Sequence, residues 1–171
     1  MAGLTAERLK EVLNYDPETG VFTWAKKTCS KVTVGKVAGC VAKFTSGGPY
    51  RVIRIDRTLH LAHRLAWLYQ TGHWPTHELD HINLDGLDNR FSNLRVATRA
   101  QNQRNVGLSK RNTSGVKGVY FDKRDQKWVA DIHAGRRVRL GSFKTLEAAK
   151  LAYANAADRL HGKFANTGDG V

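Results

Sequence analysis

Residues 79–94 read LDHINLDGLDNRFSNL, a stretch dense in aspartate, asparagine and histidine. Asp80 and His81 stand at its start, Asn93 comes twelve positions after His81, and Asn102 follows nine positions later. The surrounding pattern predicts a strand, a polar loop, a second strand and a short helix. Because these elements can fold back on one another, we expect Asp80, His81 and Asn102 to lie on one side of the domain.

These residue types suit the hydrolysis of a phosphodiester, which requires a nucleophilic water, a base and a cation that neutralises the developing charge. Asp80 and Asn102 carry hard oxygen ligands, which Mg²⁺ or Mn²⁺ prefers. Histidine at position 81 is a suitable base, and a nearby Asn carbonyl can orient its ring. An ordinary turn cluster with a surface histidine is the alternative interpretation. A calcium loop is excluded because Phe91 stands where the bidentate acid is expected.

The charge of the chain indicates its partner. The 171 residues include 28 Lys and Arg against 15 Asp and Glu, a net charge of +13, of which +9 falls within residues 99–171. This excess attracts nucleic acid first and an anionic membrane second, although scattered charge also serves solubility. Cys29 and Cys40 form no Cys-x-x-Cys motif, which favours two free or buried thiols over a disulfide framework or a zinc site. With no signal peptide and no run of about 18 apolar residues, the sequence predicts a soluble, cytoplasmic protein.

The N-terminal half is predicted to alternate short helices and strands. Residues 25–50 are rich in Gly, Lys and Ser and carry only short strand-like pieces, such as 37–44. The predicted elements are a helix over 5–13, strands over 21–24 and 50–55, a turn over 56–58, and a helix over 60–70 that ends at Gly72.

Several motifs together resemble the ββα-metal core and N-terminal segment of phage HNH homing endonucleases. They are HRLAW at 63–67, Asp80-His81, Asp88-Asn89, NLR at 93–95 and Gln101-Asn102, preceded by Leu9, Leu13, Tyr15-Asp16 and Gly20. The resemblance implies that His81 is the general base and that Asn93 braces the loop and the base. It also implies that Asp80 and Asn102 are the metal ligands. The last motif position is often histidine, and Asn102 in its place favours Mg²⁺ or Mn²⁺ over zinc.

Three further residues near this core have two interpretations each. His63 lies in the predicted helix before the core. It is either a packed or capping residue or a supporting residue near the scissile phosphate. Arg64 and Arg95 are possible phosphate contacts, although an exposed Arg often contributes nothing measurable.

The C-terminal region predicts a small sheet followed by a helix. Strands are expected over 118–121, 128–134 and 137–143, and a helix capped by Thr145 is expected to run to 161 and stop at Gly162. The predicted apolar face of the helix consists of Leu146, Ala149, Tyr153, Ala156 and Leu160.

This region closely resembles the plant ethylene-response-factor DNA-binding domain over about fifty residues. The matching strings are GVKGVY at 115–120, KWVADI at 127–132, RVRLGSF at 137–143 and EAA at 147–149. That family reads DNA with its sheet in the major groove, whose width of about 12 Å admits two strands. The predicted DNA-binding residues are Lys117, Tyr120, Lys127, His133, Arg136, Arg137 and Arg139. Tyr120, His133 and Arg139 depart from the family's commonest residues, so the plant target sequence is not expected. Trp128 is interpreted as a core residue rather than a base-stacking one.

The sequence therefore predicts an α+β fold: a ββα-metal HNH nuclease core followed by a three-stranded antiparallel sheet packed on one helix. The predicted domains are an N-terminal segment at 1–58, the core at 59–106, a linker at 107–114 and the DNA-binding domain at 115–171.

The function expected from these features is a metal-dependent DNA endonuclease. Its partner is double-stranded DNA and its cofactor Mg²⁺ or Mn²⁺, with no membrane and no small-molecule substrate. It is expected as a monomer or homodimer, in the host bacterial cytoplasm if a phage encodes it. A DNA-binding regulator with an inactive nuclease core is the alternative. An RNA-binding protein is disfavoured because the major groove of RNA is too narrow for a sheet.

Overall fold

A computed structural model describes residues 3–44, 48–109 and 111–168. The chain divides into two units, Met1–Thr98 and Arg99–Val171, and each has its own cluster of buried apolar side chains. Within the described residues, no helix combines the length and the apolar character that crossing a bilayer requires.

Antiparallel hairpins and two helices build the first unit. Strand β1 pairs with β2, the next three strands form a sheet in the order β3-β4-β5, and β6 pairs with β7. A 3₁₀ turn over Phe91–Asn93 leads into β7. The elements are α1 (Ala6–Val12), β1 (Leu13–Asp16), β2 (Val21–Trp24), β3 (Cys40–Phe44), β4 (Gly48–Ile55), β5 (Thr58–Leu61), α2 (Ala62–Thr71), β6 (Glu78–His81) and β7 (Leu94–Ala97).

Helix α1 and strand β2 confirm the predicted N-terminal elements. The Thr5 hydroxyl accepts a hydrogen bond from the Arg8 amide at 3.2 Å and so satisfies one of the free N–H groups at the helix start. The carboxylate of Asp16 accepts hydrogen bonds from the backbone N–H groups of Glu18 and Thr19 and so shapes the β1-β2 turn. Cys40 at the start of β3 and Cys29 before it are free and exposed thiols.

The predicted helix over 60–70 is wrong at its start. Asp56 and Arg57 adopt left-handed backbone angles (φ 46° and 70°), which close a tight hairpin. The residues after that turn, including His60, pair with β4 as strand β5, and α2 begins only at Ala62. The predicted end is confirmed, because Gly72 terminates α2 with a φ of 78°.

One apolar core holds the first unit together. Leu9, Phe22, Ile53 and Leu65 are fully buried and belong to a single cluster, which extends to Leu94 in β7. Burial of one such side chain contributes about 1.5–3 kcal/mol to the free energy of unfolding. The N-terminal hairpin and the region around β6 and β7 therefore share one core. The sequence-based domain boundaries stay predictions.

The second unit is a three-stranded antiparallel sheet that packs against a long helix, with strand order β10-β9-β8. The predicted α+β fold class is confirmed. The elements are α3 (Arg99–Arg104), β8 (Val119–Asp122), β9 (Lys127–Ala134), β10 (Arg136–Phe143) and α4 (Leu146–His161), followed by a 3₁₀ turn over Gly162–Phe164.

The contact between α4 and the sheet corrects one part of the predicted apolar face. Thr145 caps α4 through a 3.2 Å hydrogen bond from Ala148, as predicted. Leu160 is 39% exposed, although 3.6 residues per turn place it on the same helix face as Ala149, whereas Ala157 is fully buried and extends the buried face to one side. Trp128 packs half-buried against the same core and against the Phe121 ring, which confirms the core interpretation.

Candidate functional site

Asp80 and His81 occupy the end of β6, where the antiparallel register sets Asp80 opposite Arg95 and His81 opposite Leu94. The Asp80 carboxylate is buried and accepts hydrogen bonds from Arg95, at 2.8 Å from Nε and 2.6 Å from Nη2. A buried carboxylate requires such compensation because removing an unpaired charge from water is costly. Arg95, a possible phosphate contact from the sequence, is therefore engaged within the site.

The imidazole of His81 is held by Asn89, a fully buried residue to which no role had been predicted. His81 Nε2 lies 3.3 Å from Asn89 Oδ1, and Asn89 Nδ2 donates to the Leu87 carbonyl at 3.1 Å. Because Oδ1 can only accept, this network assigns the proton of a neutral His81 ring to Nε2 and leaves Nδ1 as the acceptor. Burial lowers the pKa of His81, and the Asn89 hydrogen bond and the Asp80 charge oppose that shift.

Asn93 closes the loop that joins β6 to β7. Its Oδ1 accepts from the Asn83 amide at 3.0 Å, and its Nδ2 donates to Asn83 Oδ1 and to the Asp88 carbonyl, both at 2.9 Å. Asp88 in turn accepts from Asn83 and Arg90, and the Arg90 hydrogen bond lowers the pKa of Asp88 to about 2. These amide and carboxylate contacts fix the shape of the loop that carries Asn89.

The N-terminal hairpin supports the same loop from behind. The Tyr15 hydroxyl donates to the Asn89 carbonyl at 2.7 Å, and the Phe91 amide donates to the Pro17 carbonyl at 3.2 Å. Gly20, with a φ of 71°, lies so close that an added Cβ would stand 2.4 Å from the Arg90 nitrogen. Tyr15 and Gly20 belonged to the resemblance in the sequence, but only the fold shows what they contact.

Two aromatic side chains line the other side of His81. The rings of His63 and His81 meet edge to face with centroids 5.0 Å apart, and Tyr50 lies 5.6 Å from His63 and 5.9 Å from His81. His63 is 7% exposed, its Nδ1 has no hydrogen-bond partner among the described residues, and burial lowers its pKa to about 3. Arg64 instead stacks over the Trp74 ring at 5.7 Å.

The chemistry of Asp80 and Asn102, one carboxylate and one amide oxygen, fits a hard divalent cation. Asn102 lies half-buried on α3, in the second unit, and its part in a metal site stays a prediction. The described residues contain no group of three His, Cys, Asp or Glu side chains arranged to hold a metal ion. A cation at Asp80 would therefore draw most of its ligands from amide oxygens, water and phosphate, as Mg²⁺ commonly does.

In the second unit, the sheet face opposite α4 gathers most of the predicted DNA-binding residues. Successive strand residues point to opposite faces, and Ala130 and Ile132 point toward α4. The cross-strand pairs His133–Arg137 and Asp131–Arg139 therefore lie on the open face. That face carries Tyr120, Lys127, His133, Arg137 and Arg139.

Arg137 is held in place on this face. Its Nε donates to Asp131 at 2.7 Å, its Nη2 also contacts Asp131, and its guanidinium lies 5.8 Å from the centre of the Tyr120 ring. The Asp131 hydrogen bond and charge raise the pKa of Arg137 further. Arg136 is exposed at the end of the β9-β10 hairpin, where it pairs with Ala134. Because Ala134 is on the face of β9 that points toward α4, Arg136 is not on the open face.

Lys117 differs from the other predicted DNA contacts. Its ammonium donates to the carbonyls of Arg104 and Val106, at 2.7 and 2.6 Å, and burial lowers its pKa. These bonds tie the segment after α3 to the start of the sheet domain, so this lysine is engaged with the protein itself.

Taken with the geometry, two family models define the class of protein. The model for the HNH endonuclease matches residues 60–104, and the model for the AP2 domain matches residues 114–163. The chain thus carries an HNH endonuclease domain followed by an AP2 DNA-binding domain.

Curated relatives place the chain more closely. It is 32% identical over 105 residues to Protein 3.8 of Escherichia phage T7, an alignment that covers 60% of this chain and 86% of that protein. The chain belongs to the family of that phage protein. It is also 42% identical over 72 residues to the ethylene-responsive transcription factor ERF069 of Arabidopsis thaliana, which covers 37% of this chain and 45% of that protein. No solved structure is significantly similar to the chain.

Proposed function

We propose that the protein is a divalent-metal-dependent DNA endonuclease that chooses its site with the help of its C-terminal sheet. The observation that carries this proposal is the fixed His81 ring. It is buried beside a compensated carboxylate, and its Nε2 lies 3.3 Å from Asn89 Oδ1, which assigns the acceptor role of the neutral ring to Nδ1. A base held in one orientation is what general-base catalysis requires.

In the proposed reaction, His81 Nδ1 removes a proton from a water molecule whose oxygen attacks phosphorus. The bond to the leaving oxygen breaks, and that oxygen takes the electron pair and a proton from solvent water. The resulting imidazolium keeps its hydrogen bond to Asn89, which favours the charged ring. A neutral ring is the form that can act as base, and burial keeps His81 in that form near neutral pH. Asn93 holds the loop on which Asn89 depends.

Asp80 and Asn102 would hold the cation, Mg²⁺ or Mn²⁺. When bound, a divalent cation supplies charge stabilisation for the pentacovalent phosphate and lowers the pKa of water. The remaining ligands would come from water and the DNA, so we expect weak metal binding until DNA is present.

The open face of the C-terminal sheet would supply DNA binding. Exposed basic residues Lys127, Arg137 and Arg139 can contact phosphates and base edges in the major groove. Because the chain joins this sheet to the nuclease domain, binding raises the local DNA concentration at His81 to about the millimolar range. One such site per chain favours nicking by a monomer, and a homodimer could cut both strands.

A plasmid assay tests this function. Supercoiled plasmid is incubated with the full-length protein in Mg²⁺ and, separately, in EDTA, and binding is followed by gel shift under both conditions. We expect relaxed or linear plasmid only with Mg²⁺, and a gel shift in both. Binding without any cleavage across Mg²⁺ and Mn²⁺ would overturn the proposal in favour of a DNA-binding regulator.

A further inference from the structure

The ion pair between Asp80 and Arg95 bears on how the site binds metal and DNA together. Both Arg95 contacts, 2.8 Å from Nε and 2.6 Å from Nη2, converge on the same carboxylate oxygen, Asp80 Oδ2. The carboxylate of Asp80 is 5% exposed and the side chain of Arg95 is 18% exposed. The pair therefore lies largely out of water, where charges interact strongly.

A cation and Arg95 would compete for Asp80. Both are positive, so a guanidinium and a divalent cation on the same buried carboxylate would repel each other. A divalent cation on Asp80 would supply the compensation that Arg95 now supplies and would repel the guanidinium. Metal binding is thereby coupled to the position of Arg95.

A displaced Arg95 has an obvious second partner. Its planar group donates two parallel hydrogen bonds to a phosphate as readily as to a carboxylate. Strand β7 places Arg95 opposite Asp80 in the hairpin, next to Leu94, which pairs with His81. A phosphate that approaches Asp80 would therefore meet this side chain.

We propose that Arg95 alternates between two anions, Asp80 in the metal-free protein and a DNA phosphate in the cation-bound protein. This inference rests on the proposed function, because it takes Asp80 to be a metal ligand. Linkage then requires that the cation and DNA each raise the affinity for the other by the same factor. The exchange also leaves the buried Asp80 charge compensated in both states.

The first test measures metal affinity without DNA. Mn²⁺ binding is followed by electron paramagnetic resonance in the full-length wild type, in Arg95→Gln, and in Arg64→Gln as the matched control. Removal of the competing guanidinium should tighten Mn²⁺ binding by about tenfold or more, whereas Arg64→Gln should bind as the wild type does. Equal or weaker binding by a folded Arg95→Gln would overturn the exchange.

A second test needs no substitution at Arg95, which protects the inference if that variant does not fold. The Nε–H of Arg95, shielded by Asp80, should exchange slowly with water in EDTA and lose this protection in nuclear magnetic resonance spectra as Mg²⁺ saturates the protein. Protection that persists at saturation would contradict the exchange. If instead neither Mg²⁺ nor Mn²⁺ binds, with or without DNA, and Asp80→Asn changes nothing, the metal site of the proposed function fails.

Discussion

Replacement of His63 by phenylalanine is expected to change how the stability of the first unit depends on pH. The buried ring has a pKa of about 3 in the folded protein and an ordinary value of 6.5 when unfolded. Between these values the unfolded state binds more protons, so the free energy of unfolding falls as pH falls. The loss is about 1.4 kcal/mol per pH unit, or about 2 kcal/mol between pH 6.5 and pH 5.

A second effect of the substitution concerns neutral pH. His63 Nδ1 has no partner within the described residues, and an unsatisfied buried polar atom costs about 1–3 kcal/mol. A phenylalanine ring fills similar space without that atom, so we expect His63→Phe to be at least as stable as the wild type at pH 7. His63→Gln also removes the titration but keeps a polar group, and it should be the less stable of the two.

The assay is urea unfolding of the wild type, His63→Phe and His63→Gln at several pH values from about 7 to 5. The decisive quantity is the slope of stability against pH, because burial lowers the pKa of His60 and His81 as well and leaves some pH dependence in every variant. Both variants should show a slope smaller than the wild type by about one proton. A His63→Phe curve parallel to that of the wild type would refute the assignment of a buried, neutral His63.

Three further predictions concern other parts of the molecule. Asn89→Ala should lower kcat about 10- to 100-fold with unchanged DNA affinity, because the His81 ring loses its hydrogen-bond partner. Cleavage assays measure kcat and a gel shift measures the DNA affinity. A kcat equal to that of the wild type would contradict the role of Asn89. Gly20→Ala should lower the free energy of unfolding by about 2 kcal/mol or more, since position 20 is left-handed and touches Arg90; a denaturant titration at wild-type stability would speak against this packing. Arg139→Gln should reduce the slope of the logarithm of the DNA-binding constant against the logarithm of salt concentration by about one. Lys117→Met should leave that slope unchanged and lower the free energy of unfolding by about 2 kcal/mol. The reverse pattern would assign Lys117 to the DNA.

Local sequence signals sufficed for much of the fold. Gly72 and Thr145 mark helix ends with residues whose backbone or side chain suits those positions, and both ends are where they were predicted. The turn at Asp56 and Arg57 was also predicted, but its left-handed form and the strand that follows it show the limit of such signals. Neither residue is a glycine, so the left-handed hairpin and the strand that follows it, which includes His60, are set by pairing with β4.

The candidate site could likewise be predicted from the sequence only in part. The sequence indicated Asp80 and His81 because their residue types match a chemistry, and neighbours in one strand stay neighbours in the fold. The partner of His81 is different, since several asparagines lie in the loop and only its folded path selects Asn89 over Asn93. The pairing of Asp80 with Arg95 depends on the register of a hairpin whose long loop leaves the register open in the sequence.

The most direct measurement is single-turnover cleavage of DNA by the wild type and by His81→Ala, with Mg²⁺ present and DNA affinity determined for both proteins. We predict that His81→Ala binds DNA as tightly as the wild type and makes no detectable cut. Cleavage by His81→Ala at the wild-type rate, with equal binding, would contradict a base at His81.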